Sequence, residues 1–332
     1  MIGFITTSAT GSISSIHTRS SLVSLKPFSA TAFTAKSNPR VHTHHALTMK
    51  AEVGQGNGDL QAVTLTHDTS KQSCTVYSLG ATVTSWKVNS DENFFTSSVA
   101  SWDGSKPIRA GIPICWPQFG PYGDLQVHGF ARNVVWKLKS AEDLADGSSS
   151  ATFVLDNSCQ DAQVAKWGAT FVAEYVVSLS NAGLETSLFV KNTGAKPLKF
   201  TFSLHNYFKV NDIDSVKIFG LEKLKYTDRL DKESMKETEE DMGAGLEVHE
   251  ETDKIFYNAP EELAIVDMSS LKLVKMKKTA SLSDATLWNP YGSKGADPGW
   301  KNFVCLEPAA VGTPVVLEPG KEWIGGQLLG IE

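Results

Sequence analysis

No stretch of about eighteen consecutive apolar residues occurs in the 332-residue chain, so no membrane-spanning helix is expected. Cysteine is scarce. Cys74, Cys115, Cys159 and Cys305 form no CxxC pair, which reads as reduced, buried thiols in a reducing compartment. No His, Cys and carboxylate residues stand at close metal-ligand spacing, so no metal centre is expected. There is no GxGxxG fingerprint, no phosphate-binding P-loop and no GxSxG elbow. Helical periodicity is almost absent. The charged segment 232–241 is the one place where a surface helix or a loop is expected.

Acidic residues are missing from one region only. Positions 1–50 hold no Asp or Glu but carry Arg19, Lys26, Lys36, Arg40 and Lys50, amid abundant Ser, Thr and Ala. That is the composition of an organelle transit peptide, and the Ser and Thr content favours a chloroplast. The alternative is a disordered tail without a targeting role, on a cytoplasmic protein. Removing those five bases from 31 leaves 26 against 37 acids, a net −11 for the remainder. Such a balance argues against nucleic acid as a partner, and an anionic substrate would need a local cationic clamp.

Beyond the leader, period-2 alternation dominates. Segments 62–66, 74–79, 81–88, 134–138, 150–155, 171–179, 184–192 and 198–205 alternate apolar with polar residues between turn signals. Further strands are expected at 215–220, 263–267, 271–275, 284–288, 303–307 and 312–317, with a hairpin turn at 180–183. Many short strands with few helices predict an all-β chain, a large antiparallel sandwich or barrel. A single domain over 55–332, after a leader at 1–48, is the simplest division.

Three segments could carry chemistry. The first runs from Arg109 to Gly120 (RAGIPICWPQFG) and on to His128–Arg132 (HGFAR). Pro113 and Pro117 make it a poor central strand, so it reads as a stiff, aromatic-lined loop presenting Arg109, His128 and Arg132. The second is 202–208 (FSLHNYF), in which His205 ends an alternating strand beside aromatics. The third is 303–308 (FVCLEP), in which Glu307 ends an apolar strand before a proline. A buried carboxylate there would be a better proton acceptor. Taken alone, Glu307 is as readily an exposed edge residue, and each histidine a satisfied core histidine. Together, two histidines and a carboxylate describe acid–base chemistry without a metal, aromatics describe a sugar platform, and two arginines describe recognition of a phosphate or carboxylate.

These motifs, with 252–256 (TDKIF) between the second and third, resemble the hexose-6-phosphate mutarotases of the aldose 1-epimerase superfamily, in that family's order over roughly residues 55–330. The resemblance implies a galactose mutarotase-like β-sandwich with a cleft on one concave face. It implies interconversion of the α and β anomers of a hexose 6-phosphate, glucose 6-phosphate above all, by a monomer without a cofactor. Glu307 would take the C1 hydroxyl proton and His205 would protonate the ring oxygen. His128 and Asp253 would hydrogen-bond the sugar, and Arg109 and Arg132 would clamp the phosphate. Four positions depart from the family pattern: Ala110 for a glycine, Val127 for a glutamine, and Lys254 and Phe256 for an arginine and a tyrosine. Asp228, followed by Arg229, competes for the role given to Asp253. Two other readings stand beside this one: a sugar-phosphate-binding protein without catalysis, and an aldose 1-epimerase of unphosphorylated sugars.

Overall fold

Two eight-stranded antiparallel sheets and one of five strands organise the described residues, 51–231, 234–293 and 295–332 of a computed structural model. The expected leader lies outside the described residues. The β-rich expectation holds: one α-helix occurs among the described residues, Ala162–Trp167, capped by Asp161 accepting from the Gln163 and Val164 amides. The hairpin is where the turn signal put it. Phe171–Ser180 pairs with Gly183–Asn192 across a two-residue connection.

The sheet that matters for function runs Ser234–Glu237, Lys225–Asp228, Thr252–Phe256, Asp284–Asn289, Phe303–Leu317, Leu198–Leu204 and Ile114–Cys115, with Tyr207–Lys209 added on Phe303–Leu317. Two expectations are corrected here. The segment 232–241 contributes a strand, Ser234–Glu237, because its residues pair with Lys225–Asp228 rather than closing a helical turn. Segments 303–307 and 312–317 are one strand, Phe303–Leu317, that runs through Pro308 and Gly312. Glu307 therefore lies inside a strand and does not end one.

Pro308 is tolerated there for a local reason. His205 and Asn206 leave the ladder between Leu198–Leu204 and Tyr207–Lys209, so side chains replace backbone pairing at this gap. Asn206 Nδ2 donates to the Leu306 carbonyl (3.0 Å), and Ser203 Oγ lies 3.3 Å from the Pro308 carbonyl oxygen. The amide that proline lacks would point into the same gap, where no strand waits to accept it.

Strand alternation then divides this sheet into two faces. Phe202, Leu204, Val304, Leu306, Leu287 and Phe256 point into the main core. Ser203, Cys305, Glu307, Trp288 and Asp253 occupy the other face. Tyr207, Cys305, Trp288 and Asp253 are consecutive cross-strand partners and make one row across it.

The segment from Arg109 to Arg132 covers that second face as the expected irregular loop. Only Ile114–Cys115 pairs as a strand, with Leu204 and Ser203. Trp116 pins the loop to the core, edge-on to Phe130, Trp167, Phe171 and Phe200. Two glycines are required. Gly111 (φ 52°) has the Val83 carbonyl oxygen 1.9 Å from where a Cβ would stand, and Gly129 (φ 69°) has that of Trp116 at 2.3 Å. Both approaches are to backbone, which cannot yield as a side-chain tip can.

Candidate active site

Glu307 and His205 meet at the break in the ladder. Glu307 is 2% exposed and His205 7%, and Oε1 of the carboxylate lies 3.0 Å from His205 Nδ1. The two atoms are not aligned for a hydrogen bond, so Nδ1 is a buried polar atom in electrostatic contact only. The other carboxylate oxygen, Oε2, accepts from Ser203 Oγ at 2.9 Å. The histidine is fixed from two sides. Its amide donates to the Pro113 carbonyl (3.0 Å), and its ring stacks on Tyr207 at 4.7 Å with the planes 2° apart. Trp288 stands edge-on to it at 5.8 Å.

His128 lies 5.6 Å from His205, ring centre to ring centre, and edge-on to Phe119 at 5.2 Å. Its φ of 67° is left-handed, an uncommon backbone state for a residue with a side chain, and such strain clusters at functional sites. Nδ1 accepts from the Gly120 amide (3.3 Å), which places the ring proton of the neutral form on Nε2. Burial, together with the charges of Arg132, His205 and Arg229, pushes its pKa down to about 2. His128 is thus a neutral imidazole near neutral pH and offers an Nε2–H donor.

Asp253 reaches the same face from Thr252–Phe256. Burial raises its pKa, with Glu307 adding to the effect and Arg229 opposing it. Asp228, the rival candidate, is held by Lys236 at 3.0 Å, and its neighbour Arg229 instead serves the site. Arg229 Nη1 lies 3.0 Å from Asp253 Oδ1, Nε donates to Tyr122 Oη at 3.0 Å, and the guanidinium covers the Phe119 ring. Arg229, in the turn that follows Lys225–Asp228, thus brings a guanidinium to this face. Lys254 occupies the opposite face, with Nζ over Tyr226.

The two loop arginines differ. Arg109 is already engaged. Nη1 donates to the Ala296 carbonyl (2.7 Å), Nε lies 3.0 Å from the fully buried carboxylate of Asp297, and the guanidinium covers Trp288. Arg132 holds only the Val127 carbonyl through Nη2 (3.2 Å), and its buried Nε has no hydrogen-bond partner among the described residues. Both charges reach Tyr207. Val127 itself is exposed, so the position that departs from the family pattern lies at the rim.

Sequence reading gave no role of their own to five contributors: Ser203 and Phe119, which lie inside the quoted segments, Arg229, named only beside Asp228, and Tyr122 and Trp288. The fold also brings donor atoms of His205, Cys305 and Glu307 within 4.8 Å of one another, a proximity that spacing along the chain does not show. Size does not single out this site. A cavity of about 650 Å³ bordered by Phe219, Leu263, Lys275 and Leu328 lies elsewhere and contains none of these residues. The convergence of buried acid, base and cation identifies the site instead.

The profile of the aldose 1-epimerase family matches residues 61–329. A Cenchrus ciliaris protein that carries the provisional name glucose-6-phosphate 1-epimerase is 37% identical over 262 residues, which cover 75% of this chain and 78% of that one. An Escherichia coli K12 protein with the same provisional name is 30% identical, over 69% of this chain and 77% of its own length. Among solved structures, a provisionally named mutarotase from Salmonella typhimurium matches with a TM-score of 0.74 at 25% identity, over 86% of this chain and 94% of that one.

Proposed function

This chain belongs to the aldose 1-epimerase family, and we propose that it interconverts the α and β anomers of a hexose 6-phosphate, glucose 6-phosphate first among them. The observation that carries the reading is the buried pair of His205 and Glu307 in contact on a face that also holds neutral His128 and the free edge of Arg132.

The chemistry is a ring opening and reclosure. Glu307 accepts the C1 hydroxyl proton, and the electrons of that O–H bond form the C1 carbonyl. The C1–O5 bond breaks with its pair going to O5, which takes a proton from His205. Rotation about C1–C2 presents the other face of the aldehyde, and the two transfers reverse. Protons are returned and no electrons change hands, so an acid and a base suffice. With Nδ1 against Glu307, Nε2 is the His205 nitrogen left to face O5. His128 Nε2–H donates to a sugar oxygen, and Asp253, held by Arg229, accepts from a hydroxyl.

Arg132 is the principal phosphate ligand in this scheme, because Arg109 is committed to Asp297. Removing Arg109 would leave a buried carboxylate without its cation, which confounds binding with stability. Arg132→Ala is therefore the cleaner probe. NMR exchange between anomers should show kcat/KM for glucose 6-phosphate falling by about tenfold to a hundredfold, the range for one charge-assisted hydrogen bond, chiefly through KM. Exchange of unphosphorylated glucose should be unchanged. Equal catalysis of both sugars by the wild type would discard the phosphate clamp, and no exchange of either above the spontaneous rate would discard the enzyme.

The acid-free, Ser-rich segment 1–48 is, in the same reading, a plastid transit peptide ahead of one catalytic domain over 55–332, and the mature protein works as a stromal monomer. A fluorescent protein fused behind residues 1–60 should collect in plastids. Retention in the cytosol would sink this assignment.

A further inference from the structure

Cys305 has no part in the scheme above, yet it shares a strand face with Glu307. The two are separated by one residue on Phe303–Leu317, and alternation therefore turns both side chains the same way. Register places Cys305 directly opposite Tyr207, the ring on which His205 stacks. One donor atom each from His205, Cys305 and Glu307 lies within 4.8 Å of the other two, and all three residues are buried. His205 Nδ1, on a side chain more than nine-tenths buried, lies 3.0 Å from Glu307 Oε1 yet makes no hydrogen bond.

We propose that His205, Cys305 and Glu307 form a binding site for a thiophilic divalent cation of the zinc class, whose occupation shuts off anomer exchange.

The donor set is imidazole, thiolate and carboxylate, three ligands with a fourth position left open, which is a zinc-type set. Bonds of about 2.0 Å to nitrogen and oxygen and about 2.3 Å to sulfur put tetrahedral ligands about 3.3–3.5 Å apart. The Nδ1–Oε1 separation of 3.0 Å already approaches that edge. The sulfur, within 4.8 Å of both other donors, would close in by about 1.3 Å at most to reach the same tetrahedral edge. A metal-bound cysteine is a thiolate, so binding must displace a proton from the Cys305 sulfur. Arg109 and Arg132 oppose a cation as well. Those costs exclude hard ions such as Mg²⁺, which gain little from a thiolate, and leave ions that bind sulfur strongly. Once bound, the ion holds the carboxylate pair needed for the C1 proton and fixes the imidazole, so neither transfer can proceed.

Binding is independent of the proposed activity, whereas inhibition rests on it, and the two are read separately. Co²⁺ titrated into the full chain should give a thiolate-to-cobalt absorption band at one ion per chain. Zn²⁺ should displace it, and Mg²⁺ should not. The band should vanish in Cys305→Ala and persist in Cys115→Ser. Glu307→Gln should weaken Co²⁺ binding by at least the about 10–100-fold typical of losing a lesser, outer-shell partner, and it serves if the cysteine variant fails to fold. Zn²⁺ should slow glucose 6-phosphate exchange and a chelator should restore it. Cys305→Ala should exchange at the wild-type rate in chelator and resist Zn²⁺. Absence of the band from the wild type, or its persistence in Cys305→Ala, overturns the site. A band that behaves as described in a protein without exchange activity keeps the site and discards the enzymatic reading.

Discussion

Glu307→Gln should lower kcat for glucose 6-phosphate anomer exchange by about 10²–10⁴, the usual contribution of a positioned base. The fold should be retained. The amide has the shape of the carboxylate, its oxygen can still accept from Ser203 Oγ, and Pro308 keeps its place in the ladder gap. Removing a charge that is 2% exposed also removes its desolvation cost, so stability should change by less than about 1 kcal/mol in either direction. KM should move little, because the sugar's other partners, His128, Asp253 and Arg132, are untouched. The measurement is two-dimensional exchange NMR between the anomers, with thermal melting as the fold control. Exchange at the wild-type rate would mean that another group takes the C1 proton.

His205→Ala should have a comparable effect on turnover, about 10²–10⁴, because O5 is a poor leaving group until it is protonated. Here stability should fall too. The substitution removes the ring that stacks on Tyr207 at 4.7 Å and leaves the Glu307 carboxylate buried with Ser203 as its remaining close partner. A loss of about 1–3 kcal/mol is expected from the cavity and the less compensated charge. His205→Asn separates the two effects. It returns a polar group beside Glu307 and should recover part of the melting temperature, but none of the turnover. Recovery of exchange in the asparagine variant would show that His205 positions Glu307 and does not donate the proton.

Much of the fold was legible because strand alternation is a local signal. The segments around 150–155, 171–179 and 184–192 are strands within a residue or two of their expected limits, and the two-residue turn between the last pair needs only local chemistry. Segments that carry glycine or proline were harder. Glu322–Ile331 went unread because Gly325 and Gly326 interrupt its pattern, yet Gly326 is where Thr186 and Ser187 approach too closely for a side chain. Phe303–Leu317 was read as two strands because Pro308 looks like a terminator, and only the ladder gap at His205 and Asn206 shows why it is not.

The site divides in the same way. His205, Glu307, His128, Asp253 and the two loop arginines could be picked out because each lies in a motif that resembles the family. Tyr122 and Trp288 lie in no such motif, Ser203 lies within 202–208 and Arg229 beside Asp228, but nothing local gives any of the four a role, since they meet the site through cross-strand register and loop packing. Cys305 was the exception. Its two-residue spacing from Glu307 on an alternating strand already implied a shared face, but the histidine that completes the set is a hundred residues away in the chain.

By itself the sequence determined the β-rich architecture, the acidic balance that calls for a cationic clamp, and which acid and base to examine, because period, charge and motif are properties of the chain. The tertiary structure alone decided that Glu307 is buried inside a strand, that Arg109 is committed to Asp297 while Arg132 keeps a free edge, and that Arg229 pairs with Asp253. Those outcomes depend on strand register and on what covers one face of a sheet, and both are set by packing between segments that the chain order keeps far apart.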